Sequence, residues 1–189
     1  MCNSILQVPK YYRRLNDYFP SEEMKHPQQL QELVEDQPYY HKLETDDYLL
    51  LYAEFSDCLF VDYLLVDSSI RGKGIGSKVL RKLQQRKLPI ILEVEESDPS
   101  QPDTIARRRF YGRHGFKFSP GVQYRRKDKQ GVPFQMDILY WSPVDAPISD
   151  KKVLHMMSKV CRAVHNHNAM AYYDRLPADP ERVLSLRDA

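Results

Sequence analysis

Cys58-Leu59-Phe60-Val61-Asp62-Tyr63-Leu64-Leu65-Val66 is an apolar strand-like run, and Arg71-Gly72-Lys73-Gly74-Ile75-Gly76 follows it five residues on. A second run, Tyr48 to Phe55, precedes it across only Ser56-Asp57. So short a link predicts a hairpin with antiparallel strands. After the glycines, Ile75, Val79, Leu80 and Leu83 fall on one face of a helix. Strand, glycine loop and helix together make an anion site. Glycines let the backbone turn tightly and approach a ligand closely. The amides of Gly72, Gly74 and Gly76 would face phosphate oxygens, and the helix beginning near Ser77 would add its unbonded N–H groups and positive dipole end. Arg71 and Lys73 supply charge, so the expected ligand is a pyrophosphate.

Working outward, Lys10 to Phe19 reads as a short aromatic and basic helix ended by Pro20, and Pro27 opens a second helix carrying Leu30, Leu33 and Val34. Downstream, Ile90 to Val94 is a buried strand. A helix should run from Ser100-Gln101-Pro102-Asp103, spaced as a capping box, to about His114 and stop at Gly115. Phe116 to Phe118 and Phe134 to Trp141 read as strands. From Asp150 to about Tyr172, Val153, Leu154, Met157, Val160, Cys161 and Val164 recur at helical spacing. This divides the chain into residues 1–145, the main domain, and residues 146–189, a helical extension expected to pack on that domain or on a second subunit as a homodimer. Pro177 to Ala189 reads as a loose tail.

Composition bounds the possibilities. The chain has 189 residues, enough to bury a core without disulfides or metals. Its net charge of +2 does not argue for nucleic acid, so any anion must be held locally. Three widely spaced cysteines, Cys2, Cys58 and Cys161, suggest reduced thiols and a cytoplasmic setting. The first residues lack the pattern of a signal peptide, and the longest apolar run is too short for a membrane span. Cys161 and His165 could share a helix face, but two ligands do not make a zinc site, so no metal is expected.

Three phosphate motifs compete for the loop. A Walker A sequence does not fit. A dinucleotide fingerprint would want glycine where Ser77 stands, although Glu93 lies near the place of a ribose-binding acid, and the preceding hairpin argues against its parallel sheet. Arg71-Gly72-Lys73-Gly74-Ile75-Gly76 resembles instead the Arg/Gln-x-x-Gly-x-Gly/Ala motif of the GNAT acetyltransferase superfamily. Phe110-Tyr111-x-x-x-Gly115-Phe116 resembles that family's second hallmark. The resemblance implies an α/β (α+β) GNAT fold: a mixed, mostly antiparallel central sheet with a splayed central strand pair and flanking helices, here followed by a C-terminal amphipathic helix. It implies acetyl-CoA as co-substrate and a small-molecule or peptide amine as acceptor, with no nucleic acid or membrane partner.

Acetyl transfer needs a neutral amine, an oxyanion donor and a proton for the departing thiolate. The resemblance assigns the cofactor's pantetheine arm and acetyl carbonyl to the backbone of Leu64, Leu65 and Val66. It assigns the pyrophosphate to Arg71 through Ser77, a further cofactor contact to the helix position held by Thr104, and the thiolate's proton to Tyr111. Tyr111 could equally be a core tyrosine beside Phe110 and Phe116. For the base, Glu93 matches a family position and Asp62 lies on the adjacent strand; either could instead face solvent or pair with Arg108 or Arg109. Thr104 and Arg107 stand where the family often has Asn and Ala. Arg107, Arg108 and Arg109 read as a solvated helix face rather than a site for the cofactor's 3′-phosphate. The acceptor should enter opposite the cofactor, near Tyr11, Tyr12, Tyr39, Tyr40 and Tyr124, with Glu22, Glu23 and Asp46 able to attract a cation. Two other functions fit the loop: a catalytically weak acyl-CoA-binding module acting on a partner protein, and a dinucleotide-binding domain.

Overall fold

A computed structural model describes residues 8–70, 72–127, 132–144 and 146–187. Two helices, α1 (Lys10–Asn16) and α2 (Pro27–Asp36), precede an antiparallel meander of β1 (Tyr40–Glu44), β2 (Tyr48–Glu54) and β3 (Leu59–Val66). Helix α3 (Ile75–Gln84) then leads to β4 (Ile90–Glu95), which lies parallel to β3. Helix α4 (Pro102–Arg113) precedes β5 (Lys117–Phe118), β6 (Val122–Lys127) and β7 (Pro133–Trp141). β7 is antiparallel to β4, β5 and β6. The sheet order is β1-β2-β3-β4-β7-β6-β8, with β5 pairing on β7 and β8 (Leu184–Leu186) closing the far edge. This is the mixed, mostly antiparallel sheet with flanking helices that the sequence implies.

Two features of β3 make the sheet open in its middle. Its pairing with β4 is confined to Leu59↔Ile90, Phe60↔Ile91 and Val61↔Leu92, after which the strands part. At the same point its register against β2 slips: Leu51 faces Tyr63 while Tyr52 faces Val61, leaving Asp62 as the extra residue of a bulge. A bulge bends its strand and sharpens the local twist. It also resets the alternation of side chains, so Phe60, Tyr63 and Leu65 join the core under α1, α2 and the C-terminal segment, while Leu59, Val61 and Leu64 face α3 and α4.

Helix α3 earns its place through Val79, Leu80 and Leu83, which are buried against Leu59, Val61, Ile90 and Leu92. On the opposite face, the C-terminal segment packs on the sheet of its own chain. Ser149 caps α5 (Asp150–Val160) by accepting from the Lys152 amide, and Val153, Met156, Met157 and Val160 are buried in the same core as Phe60 and Ile138. Each such side chain contributes about 1.5–3 kcal/mol of apolar burial. The single helix expected to Tyr172 is interrupted. A π-helical turn, Cys161–His165, follows α5, and Asn168 in the left-handed region begins α6 (Ala169–Tyr173).

Three local readings differ. The expected capping box at Ser100 is absent: Pro102 fixes the start of α4 with Gln101 as its cap, and the Ser100 amide instead donates to Asp98 Oδ1 at 2.8 Å. The tail read as loose forms α7 (Pro180–Val183) and β8, which pairs Val122↔Leu186 and Tyr124↔Leu184. Its partner strand lies far away in sequence, so nothing local signals the pairing. β1 and β6 escape notice because each carries only two apolar residues among polar and charged ones, Tyr40 and Leu43 in β1 and Val122 and Tyr124 in β6. No helix among the described residues is long and apolar enough to cross a membrane.

Met157→Ala should lower stability by about 2–5 kcal/mol while unfolding stays a single transition, because Met157 belongs to the sheet's own core. Denaturant unfolding followed by both far-UV and near-UV circular dichroism checks this; a separate early transition of the C-terminal segment would show that residues 146–189 form an independent unit.

Candidate active site

Where β3 and β4 part, a cleft of about 470 Å³ passes between them. Val61, Leu64, Val66 and Leu92 line its walls, joined on the α3–α4 side by Gly72, Gly74, Ile75, Gly76, Ser77, Phe110 and Tyr111. On the other side it reaches Tyr18, Phe19 and Glu23, with Asp62 and Glu93 at the floor. One channel therefore joins the glycine loop to the α1–α2 face of the sheet.

The loop has the geometry of an anion cradle. Gly72 and Gly74 sit at φ +84° and +78°, in the left-handed region that a side chain disfavours, and Gly74 caps α3. The Gly76 and Ser77 amides, in the first turn of α3, donate to no other described residue, so these orphan donors and the positive helix end remain for a ligand. Gly76 has a second reason to be glycine: a Cβ there would lie 3.0 Å from the Phe110 ring and 3.6 Å from Val66. The Lys73 amide is committed to the Ile70 carbonyl at 3.2 Å, and its side chain is exposed. Arg71 lies outside the described residues. Leu65 points into the opposite core, so only its backbone borders the parting.

Tyr111 stands at the centre of the cleft, 7% exposed, with its ring edge-on to Phe110 and Phe116. Its hydroxyl makes no hydrogen bond to another described residue, and burial pushes its pKa up to about 12. Such a group stays protonated near neutrality and is suited to donate. Thr104 faces away from the cleft. Its hydroxyl donates to the Gln101 carbonyl at 2.8 Å and accepts from the Asp98 amide at 2.9 Å, tying the β4–α4 loop to the helix start.

The two carboxylates on the central strands are both engaged. Asp62, which shares the α1–α2 face with Phe60, accepts from Lys25 Nζ at 2.7 and 2.8 Å and from the Tyr40 hydroxyl at 2.5 Å. Glu93 accepts from Arg126 Nη1 at 3.4 Å and meets His165 Nε2 at 2.7 Å. His165 Nδ1 is buried with no partner among the described residues, so the imidazole is best neutral with its proton on Nε2, donating to Glu93; burial lowers its pKa. Two cations and two anions then share one water-poor layer without net charge. Burial alone would push the Glu93 carboxyl up. The His165 ring, the Arg126 guanidinium and the Lys25 ammonium outweigh it and hold the carboxyl at about 2. A carboxylate so stabilised is a weak proton acceptor.

The remaining expected groups divide by packing. Tyr11, Tyr12, Tyr40 and Tyr124 are core residues rather than an acceptor lining, and the Tyr39 hydroxyl binds the Ala163 carbonyl at 2.9 Å. Arg107 pairs with Glu95 at 3.3 Å and lines the cleft, Arg108 pairs with Asp137, and Arg109 is exposed. Glu22 and Asp46 are exposed, whereas Glu23 turns inward. Lys25 and Arg126 escaped the sequence reading, and His165 entered it only as a metal ligand set aside, since each lies on a segment whose partner is distant in the chain.

Glu93→Gln should cost about 3–5 kcal/mol at pH 7, because it leaves Arg126 buried beside a neutral amide. The sign of the pH dependence follows from a folded pKa below the ordinary carboxylate value. The stabilisation from Glu93 is complete above about pH 4.5 and is lost as pH falls toward 2. Denaturant midpoints measured from pH 7 to 2.5 should therefore fall less steeply in Glu93→Gln than in the parent.

Comparison with known proteins agrees with this architecture. Residues 34–118 match the model of the acetyltransferase (GNAT) domain. Over 180 residues, covering 94% of this chain and 93% of the relative, the sequence is 36% identical to "Putative acetyltransferase YjbC" of Bacillus subtilis. Among solved structures, a "Putative acetyltransferase from GNAT family" of Bacteroides thetaiotaomicron superposes with a TM-score of 0.67 at 25% identity, over 82% of this chain and 90% of that one. The ribosomal-protein-S18-alanine N-acetyltransferase of Escherichia coli shares the fold, with a TM-score of 0.52 at 16% identity over 74% of this chain and 90% of that one. The parted strands, the glycine cradle at the head of α3 and the extent of these matches lead to one conclusion: the chain belongs to the GNAT acetyltransferase superfamily.

Proposed function

We propose that the protein transfers an acetyl group from acetyl-CoA directly to an amine. The observation that carries this reading is the cleft between β3 and β4, with helix amides at one end and a tyrosine hydroxyl in the middle that bond no other described residue, and a carboxylate-bearing turn at the other end. The Gly76 and Ser77 amides would hold the pyrophosphate, with Gly72 and Gly74 giving the backbone its close approach. The edge of β3 from Asp62 to Val66, which has no β4 partner, supports a strand-like contact with the pantetheine arm. Tyr111 would protonate the leaving thiolate; its high pKa makes it a donor that is loaded at every working pH. The acceptor would arrive from the α1–α2 face past Tyr18 and Phe19, where a small-molecule or peptide amine could reach the thioester.

The reading makes a cofactor prediction and a catalytic one. Coenzyme A at a hundred times its dissociation constant should stabilise the protein by about 2.7 kcal/mol, while NAD and ATP leave the melting temperature unchanged. Gly74→Ala should lose much of that shift, because the new side chain must adopt φ near +78° at the head of α3. Thermal-shift titration of both proteins checks this, and an equal response to NAD would sink the acyl-transfer reading. Tyr111→Phe should retain coenzyme binding and lose about 10²-fold or more in kcat, measured by thiol release with an amine panel. Coenzyme binding without turnover of any amine would favour a binding module instead.

A further inference from the structure

Glu23 sits in the turn between α1 and α2, and that turn is fastened directly to the bulged strand. The Tyr63 hydroxyl donates to the Glu23 carbonyl at 2.8 Å and accepts from the Lys25 amide at 3.3 Å. The Tyr12 hydroxyl donates to the Lys25 carbonyl at 2.8 Å. The backbone is thus held from both sides while the carboxylate projects into the cleft. Its Oε1 is shielded from solvent and has no hydrogen-bond partner among the described residues. The neighbouring acids are otherwise engaged: Asp62 with Lys25, Glu93 with Arg126 and His165, and Glu95 with Arg107. A shielded carboxylate oxygen without a donor is costly unless something that enters the cleft supplies one.

We propose that Glu23 is the general base that takes the acceptor's ammonium proton, an assignment that rests on the acyl-transfer reading above. Desolvation, with added repulsion from Glu95 and Glu93, pushes its carboxyl up to about 7, and Arg107 offsets only part of this. Glu22 adds a smaller repulsion, and the Tyr18 and Tyr111 side chains face the same space. A base of this strength can accept a proton near neutrality, which Glu93 cannot. In the step, the ammonium proton passes to Glu23 and on to solvent. The freed nitrogen lone pair forms the C–N bond as the C–S bond breaks, and sulfur takes the proton of Tyr111. The nitrogen's second proton returns to Tyr111 through solvent. An anionic cleft end of this kind favours an acceptor that arrives as a cation.

The test compares parent, Glu23→Gln and Glu23→Asp. Acetyl-CoA turnover is followed from pH 5.5 to 9 with polyamines, amino sugars, amino acid amides and short peptides with free N-termini. In parallel, the carboxyl carbons of ¹³C-glutamate-labelled protein are titrated by NMR. Glu23→Gln should keep the thermal shift with coenzyme A, lose about 10²–10⁴-fold in kcat and lose the acid limb near pH 7, with Glu23→Asp partly active. The parent should show one glutamate carboxyl titrating near 7 that is missing from Glu23→Gln. The variant should also gain relative stability as pH rises from 4.5 to 7, since a raised carboxyl pKa penalises the folded state over that window. A variant with the parent's rate and pH profile, a Glu23 resonance titrating near 4.5, or loss of coenzyme binding in Glu23→Gln would each overturn the assignment while leaving acyl transfer intact. A parent that binds coenzyme A yet turns over no amine would overturn acyl transfer and this role together.

Discussion

The parting of β3 from β4 is the constraint around which this molecule is arranged. Two strands pair as far as Val61 and Leu92 and then diverge, at the residue where a bulge inserts Asp62 into the β2–β3 register. A continuous sheet would present two sealed faces. The divergent one opens a passage between them and leaves the inner edge of β3 without a neighbour. Backbone polar groups in such a place need partners, and water or an extended ligand arm can supply them. Cleft, cradle and the opening toward α1 and α2 all take their positions from this one interruption.

An opening in a central sheet also has to be kept from collapsing. Lys25, Asp62, Glu93, Arg126 and the neutral His165 fill its floor with an array whose formal charges cancel. Its members come from the α1–α2 turn, β3, β4, β6 and the π-helical turn after α5, so the array ties together segments that share no local sequence. α2 reinforces it from outside: Gln29 donates to the His165 and His167 carbonyls at 3.0 and 2.7 Å and accepts from the Tyr173 hydroxyl at 2.8 Å. Buried ion pairs of this type add little net stability, but removing one member leaves the other exposed to the low dielectric. They hold a polar floor in a defined shape, which an apolar plug of the same volume would do without offering hydrogen bonds to anything in the cleft.

The cleft separates two electrostatic tasks along one channel. At the α3 end, helix amides and backbone geometry favour an anion. At the α1–α2 end, Glu23 Oε1, which has no hydrogen-bond partner among the described residues, favours a donor such as an ammonium group. In the proposed reaction a protonated amine and a phosphate-bearing thioester would therefore approach from opposite faces of the same sheet. Tyr111, fixed between aromatic neighbours, stands where the two would meet.

What the sequence settled unaided was everything decided within a few residues. Three glycines between a strand and an amphipathic helix require a tight backbone and leave helix-end donors unbonded wherever that segment sits. The hairpin of β2 and β3, the stop of α4 at Gly115, and the buried face of α5 follow from spacing alone. The use made of each carboxylate was decided only in three dimensions. Glu93 and Asp62 stand on strands where a base was expected, but Lys25, Arg126 and His165 reach them from positions far away in the chain, and for Glu93 those partners hold the carboxyl low. Glu23 carries no motif, yet the turn that Tyr63 pins over the cleft leaves its Oε1 without a donor among the described residues. Proton affinity depends on solvation and on neighbouring charge, and both are properties of the packed structure rather than of the local sequence.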